Sequence, residues 1–242
     1  MNNYISMEFL KLKHSRINKI MLSSGILTSL FTIIWFLTSS SLDVKTVLGT
    51  FQNNFSIIWI FILTFVLVIE KIYQERKAGN FFNVRSTVLN HRKYIHSLMI
   101  SLYWVFFKTL LVYELISYVS SIMLYGLDPF KYISLLILPS LFIMLYAVWL
   151  IPLMYVIVRK LGVFVGGLIT FFMAIMAIIL PPMVTPWSLF TTTISNISGI
   201  ARNGISLGES DHSLIIVSGV VFLIIICIYE LVIAYSNRGD KQ

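Results

Sequence analysis

Three ionisable side chains fall inside or beside the long apolar runs of this chain: Lys108, Glu114 and Glu230. A charge at membrane depth is costly, so such groups mark substrate paths, proton relays or buried helix contacts. Lys108 and Glu114 are six residues apart, about 240° around a helix, and cannot pair on it. Lys108, near the start of its run, and Glu230, close to the end of the last one, can snorkel outward. Glu114 lies deeper. It reads as a hydrogen-bonded packing carboxyl ahead of a substrate or proton-coupling group, because a proton-driven transporter usually carries several such carboxylates.

Other chemistry is sparse. The histidines are His14, His91, His96 and His212, all outside the apolar runs. That removes the usual axial ligands of a membrane haem and any zinc-binding HExxH at depth. Ser117, Ser120 and Ser121 have no histidine partner, and no GxxxxGK[ST] phosphate loop occurs. The single cysteine, Cys227, excludes an internal disulfide or a cysteine metal site. The residues point to no catalytic site and to no cofactor or metal held by this chain.

The elements that must position these residues follow from charge placement. Residues 20–42, 46–69, 132–158, 161–201 and 213–229 contain no Asp, Glu, Lys or Arg, and 109–127 contains only Glu114. A hydrocarbon core roughly 30 Å thick takes about 20 apolar helical residues to cross. Six spans are predicted, at about 20–38, 53–71, 103–124, 133–157, 161–180 and 213–235, forming one all-α polytopic domain over 1–242. Hydrophobic residues make up 58% and charged residues 12%, which excludes an ordinary soluble domain. The runs are continuous and do not alternate, which excludes a β-barrel. The first run is too long for a signal-peptide core and lacks a small-residue cleavage site, so it reads as a retained helix.

The net charge of +8 reflects orientation in the membrane and is no nucleic-acid footprint. With the N-terminus inside, 14 of the 18 basic residues fall on inner segments and three (Lys45, Lys131, Arg202) on outer loops. The positive-inside rule then places both termini in the cytoplasm. Residues 4–16 predict an amphipathic interfacial helix, with Ile5, Phe9 and Leu12 on one face and Lys11 and Lys13 elsewhere. Trp35, Trp59 and Trp104 suit interfacial anchors. Pro139 and Pro152 are expected to kink span four. Gly162 and Gly166 form a GxxxG suited to close helix approach.

Two connecting segments stand out. Residues 70–102 form the longest predicted inner loop, densely charged and interspersed with Phe81, Phe82, Val84, Val88 and Leu89, which suits a docking surface. Residues 181–212 open on Pro181, Pro182 and Pro186 beside Trp187. They continue as a Ser/Thr-rich stretch that suits short re-entrant or interfacial helices and is too polar for a seventh span.

This arrangement resembles the permease subunits of ABC type-2 exporters. The turn Glu75-Arg76-Lys77-Ala78-Gly79-Asn80 resembles the family's E-R-x-x-G coupling turn, and Glu8-Phe9-Leu10-Lys11-Leu12-Lys13 resembles its opening signature. Short outer loops and small size are similar to the lantibiotic-immunity branch of Gram-positive bacteria. The resemblance implies a coupling loop containing Glu75, Arg76, Lys77, Gly79, Asn80 and Phe81. It further implies two copies of a cytoplasmic ATPase that bind ATP and Mg, a second identical or homologous permease, and an antimicrobial peptide expelled from the plasma membrane. An ABC permease for another amphipathic cargo and an ATP-independent immunity or scaffold protein remain as alternatives.

Overall fold

Long apolar stretches must satisfy their own backbone polar groups, and helices do so within one segment. The computed structural model describes residues 2–13, 15–37, 44–78, 91–126, 133–181, 184–200 and 229. The described elements are α1 (Asn2–Lys13), α2 (Ile17–Leu37), α3 (Val44–Asn54), a π-helical turn (Phe55–Trp59), α4 (Ile60–Lys77), α5 (His91–Tyr125), α6 (Ile133–Ile179) and α7 (Pro186–Ser198). Among the described residues, four stretches are long and apolar enough to cross a membrane: Ile17–Ile34, Val47–Lys77, Arg92–Leu124 and Leu136–Ile179.

The last of these doubles back. Gly162 sits at φ 89°, ψ 170°, a conformation essentially reserved for glycine. A Cβ on Gly166 would meet Val158, and Thr170 Oγ1 lies 3.6 Å from Met154 Sδ. Both pairings are symmetrical about residue 162, so 133–161 and 163–179 form two antiparallel arms. The GxxxG expectation is corrected here. Gly162 makes the turn, while the neighbours Gly166 and Gly167 let the second arm approach Phe65 of α4.

Pro139 and Pro152 lie inside the first arm, and the only non-helical backbone within α6 is at Gly162. Pro152 leaves the carbonyl four residues earlier without its usual donor. The Tyr103 hydroxyl of α5 reaches that group, Val148 O, and lies 3.1 Å from Ala147 O. A polar side chain from the neighbouring helix thus covers the gap, and the helix continues through the proline.

Helix boundaries differ from the predicted spans. The second and third crossings lengthen to 44–77 and 91–125, so most of the expected 70–102 loop is helix. Charged residues at 70–77 extend α4 because helical spacing pairs them across turns. Gly79, Asn80 and Phe81, the sixth predicted span apart from Tyr229, and Glu230 lie outside the described residues. Tyr229 places its hydroxyl 3.2 Å from His96 Nδ1 of α5.

The core runs between α4, α5 and the first arm of α6, where Phe61, Leu67, Phe106, Tyr113 and Tyr146 are fully buried. α2 packs mainly on α5, and α7 rests on α6 and α3. Large apolar side chains face outward on α2 (Leu27, Phe31, Ile34) and on the second arm of α6 (Phe164, Phe171, Ile179). Such a surface suits a hydrocarbon surround.

Candidate functional site

Two polar constellations interrupt the apolar bundle. The first is built from two helical spacings. Glu8 and Lys11 are three apart on α1, and Lys71 and Glu75 are four apart on α4, so each pair shares one face of its helix. Where the faces meet, the four charges close into a ring. Lys71 Nζ lies 2.7 Å from Glu8 and 2.9 Å from Glu75, while Lys11 Nζ lies 2.7 Å from Glu8 and 3.4 Å from Glu75. Lys71 is completely buried, and Glu8 and Glu75 nearly so. Burying any one of these charges alone would cost several kcal/mol, order-of-magnitude, and the ring offsets it with opposite charges on both sides.

Neighbours complete the ring. Gln74 lies 3.5 Å from Lys71 Nζ through Oε1 and 3.4 Å from the Lys11 carbonyl through Nε2. The Lys11 ammonium stands 5.5 Å from the centre of the Tyr94 ring of α5. Partial burial works against the charge on Lys11, but Glu8 and Glu75 outweigh it and raise its pKa above the ordinary lysine value. The inward face of α1 carries Glu8 and Leu12, while the apolar Met7 and Leu10 are exposed. Glu8 stands one turn from Leu12 on that face, and its ion pair with Lys71 of α4 accompanies its burial there.

The residues of the expected coupling segment are thereby separated. Glu75 faces inward in the ring; Arg76 and Lys77 face outward. On α1, Lys11 joins the ring, Lys13 is exposed, and Phe9 packs edge-on against Trp104 at 6.4 Å. The Lys108 ammonium lies 5.4 Å from the centre of the Trp104 ring, on the same side of α5.

The second constellation surrounds Glu114, which is 4% exposed. Gln52 Nε2 of α3 donates to Oε2 at 2.7 Å, and Ser140 Oγ of α6 lies 2.9 Å from Oε1. Glu114 therefore joins three helices. Beside it, Asn53 Oδ1 accepts from Ser195 Oγ of α7 at 2.7 Å, and the Tyr113 hydroxyl donates to Phe51 O at 2.9 Å. Gln52 Oε1 is buried and has no partner among the described residues.

This polar cluster adjoins the π turn, in which Ile60 N–H reaches back five residues to Phe55 O. Ser56 Oγ also bonds Asn53 O at 2.9 Å. Widened turns of this kind often occur at functional sites. α7 closes the cluster from the other side. Its N-terminus is fixed by a Thr185–Ser188 capping box and its C-terminus by the left-handed Gly199. Gly49 of α3 admits Ile200 and Ser198 O so closely that a Cβ would lie 2.4 Å from the Ile200 side chain.

Reading along the sequence identified Glu75, Lys11 and Glu114 but missed Glu8, Lys71, Gln52 and Ser140. The signal for the ring was present as two complementary short-range pairs, Glu8/Lys11 and Lys71/Glu75. No protein-family model, curated protein or solved structure matches the chain.

Proposed function

We propose that this chain is the membrane subunit of an ATP-driven exporter that expels an amphipathic antimicrobial peptide from the plasma membrane. In this reading six helices span the bilayer, the sixth being the last apolar run, with both termini in the cytoplasm. The observation that carries the reading is the ion ring between α1 and the end of α4. It ties the N-terminal helix to the stem of the turn that resembles an E-R-x-x-G coupling motif. A displacement of that turn by a partner ATPase would reach α4 and, through Lys71 and Glu75, α1 as one body. The π turn further along the same crossing gives the motion a place to be absorbed.

ATP and Mg belong on the partner subunit, of which two copies serve a pair of permeases. Arg76 is exposed at the end of α4 and available to that partner, whereas Glu75 supports it from inside. Arg76→Ala is the informative substitution because it leaves the ring whole. The expected outcome is loss of ATP-dependent peptide resistance with unchanged membrane insertion and thermal stability. Full resistance in that variant would remove Arg76 from the coupling surface.

A further inference from the structure

Beside the ring, the elbow between α1 and α2 and the last turns of α4 enclose a groove of about 310 Å³. Ser15, Arg16 and Ile17 line one side; Glu70, Tyr73, Gln74, Lys77 and Ala78 line the other. We propose that this groove binds the phosphate headgroup of an anionic phospholipid.

Charge supports an anion. The ring confines Glu8 and Glu75 together with Lys11 and Lys71, so those two carboxylates are spent on internal partners. The groove keeps two exposed cations, Arg16 and Lys77, against one half-buried carboxylate, Glu70. Lys13, Lys19 and Arg76 are exposed on the same elements but do not line the groove. Arg16 presents a planar fork of donors that matches phosphate oxygens, and Lys77 faces it as a compact charge. The first backbone N–H groups of α2, at Ile17 and after, add a weaker attraction for negative charge.

Level in the bilayer supports a lipid as the source. Arg16 immediately precedes the apolar stretch Ile17–Ile34, and Glu70 immediately follows the uncharged run 46–69. Both walls therefore change from apolar to charged at the groove, where headgroup phosphates lie. Tyr73 is 55% exposed, an amphipathic ring of the kind that settles at this depth. Basic pockets between spanning helices are recognised headgroup sites.

The test is native mass spectrometry of the full chain released from nanodiscs of phosphatidylcholine with phosphatidylglycerol. The wild type is expected to retain phosphatidylglycerol in preference to phosphatidylcholine. Arg16→Gln with Lys77→Gln should lower that preference about tenfold, and the charge-conserving pair Arg16→Lys with Lys77→Arg should keep it. A melting curve on each variant confirms that it is folded. Lys13→Gln with Lys19→Gln, which changes equal charge outside the groove, should leave the preference intact. An equal loss in that control, or no loss in the groove variant, would overturn the site. Displacement of the lipid by glycerol phosphate at equal concentration would overturn the lipid assignment and assign a soluble phosphate compound.

Discussion

Lys71 is the side chain on which the α1–α4 connection depends most, since it is fully buried and touches both Glu8 and Glu75. Lys71→Met leaves two buried carboxylates sharing one ring cation, Lys11, a loss on the order of 3–5 kcal/mol. The expected result is a lower melting temperature and faster proteolysis of α1; adding Glu8→Gln should restore part of the loss. Lys11 sets the pH range of the same connection. Its raised pKa means its contribution is complete below the ordinary lysine value of 10.5 and fades as pH rises through the raised one. Neutral conditions leave it untouched. Glu114 admits a separate test. Glu114→Ala strands the Gln52 amide and should cost about 1–3 kcal/mol. Glu114→Gln can accept from Gln52 and donate to Ser140 Oγ, so stability should stay near wild type. Transport lost in a stable Glu114→Gln protein would assign the carboxyl a role in the cycle beyond packing.

At the scale of elements, Gly162 decides whether α6 is one rod or two antiparallel arms. Gly162→Ala forces a Cβ into a backbone region that only glycine enters freely, costing about 1–3 kcal/mol. Circular dichroism melting should register the loss, whereas an unchanged melt would remove the turn from residue 162. The two arms were legible in the sequence, because Arg159 and Lys160 separate two uncharged runs. The role of Gly162 was not, since a glycine four residues before another fits a packing motif equally well and φ is invisible in a string of letters. The extension of α3 and α4 was hidden for a related reason. Hydropathy ends a helix where apolar residues end, but Gln52 and Asn53 are paid for by Glu114 and Ser195 on other helices. The ring was half legible. Its two intrahelical pairs follow from spacing, while their meeting depends on how α1 lies across the bundle. The π turn left no signal in residue type.

For the whole molecule, the charge pattern and the apolar runs anticipated a helical membrane protein, and the described helices accord with that class. The proposed role rests on a mechanical connection. The segment resembling a coupling motif starts at Glu75 within the last turn of α4, and the ring ties α4 to α1 there. Outward-facing Arg76 gives a partner something to hold, and Glu75 is buried beside it. The most direct test is to purify the tagged chain from its native membrane in mild detergent and identify what accompanies it by mass spectrometry. The expected result is a cytoplasmic ATPase in near-stoichiometric yield that dissociates when Arg76 is changed to alanine. Recovery of the chain without any ATPase, under conditions that keep other ABC complexes intact, would contradict the exporter reading.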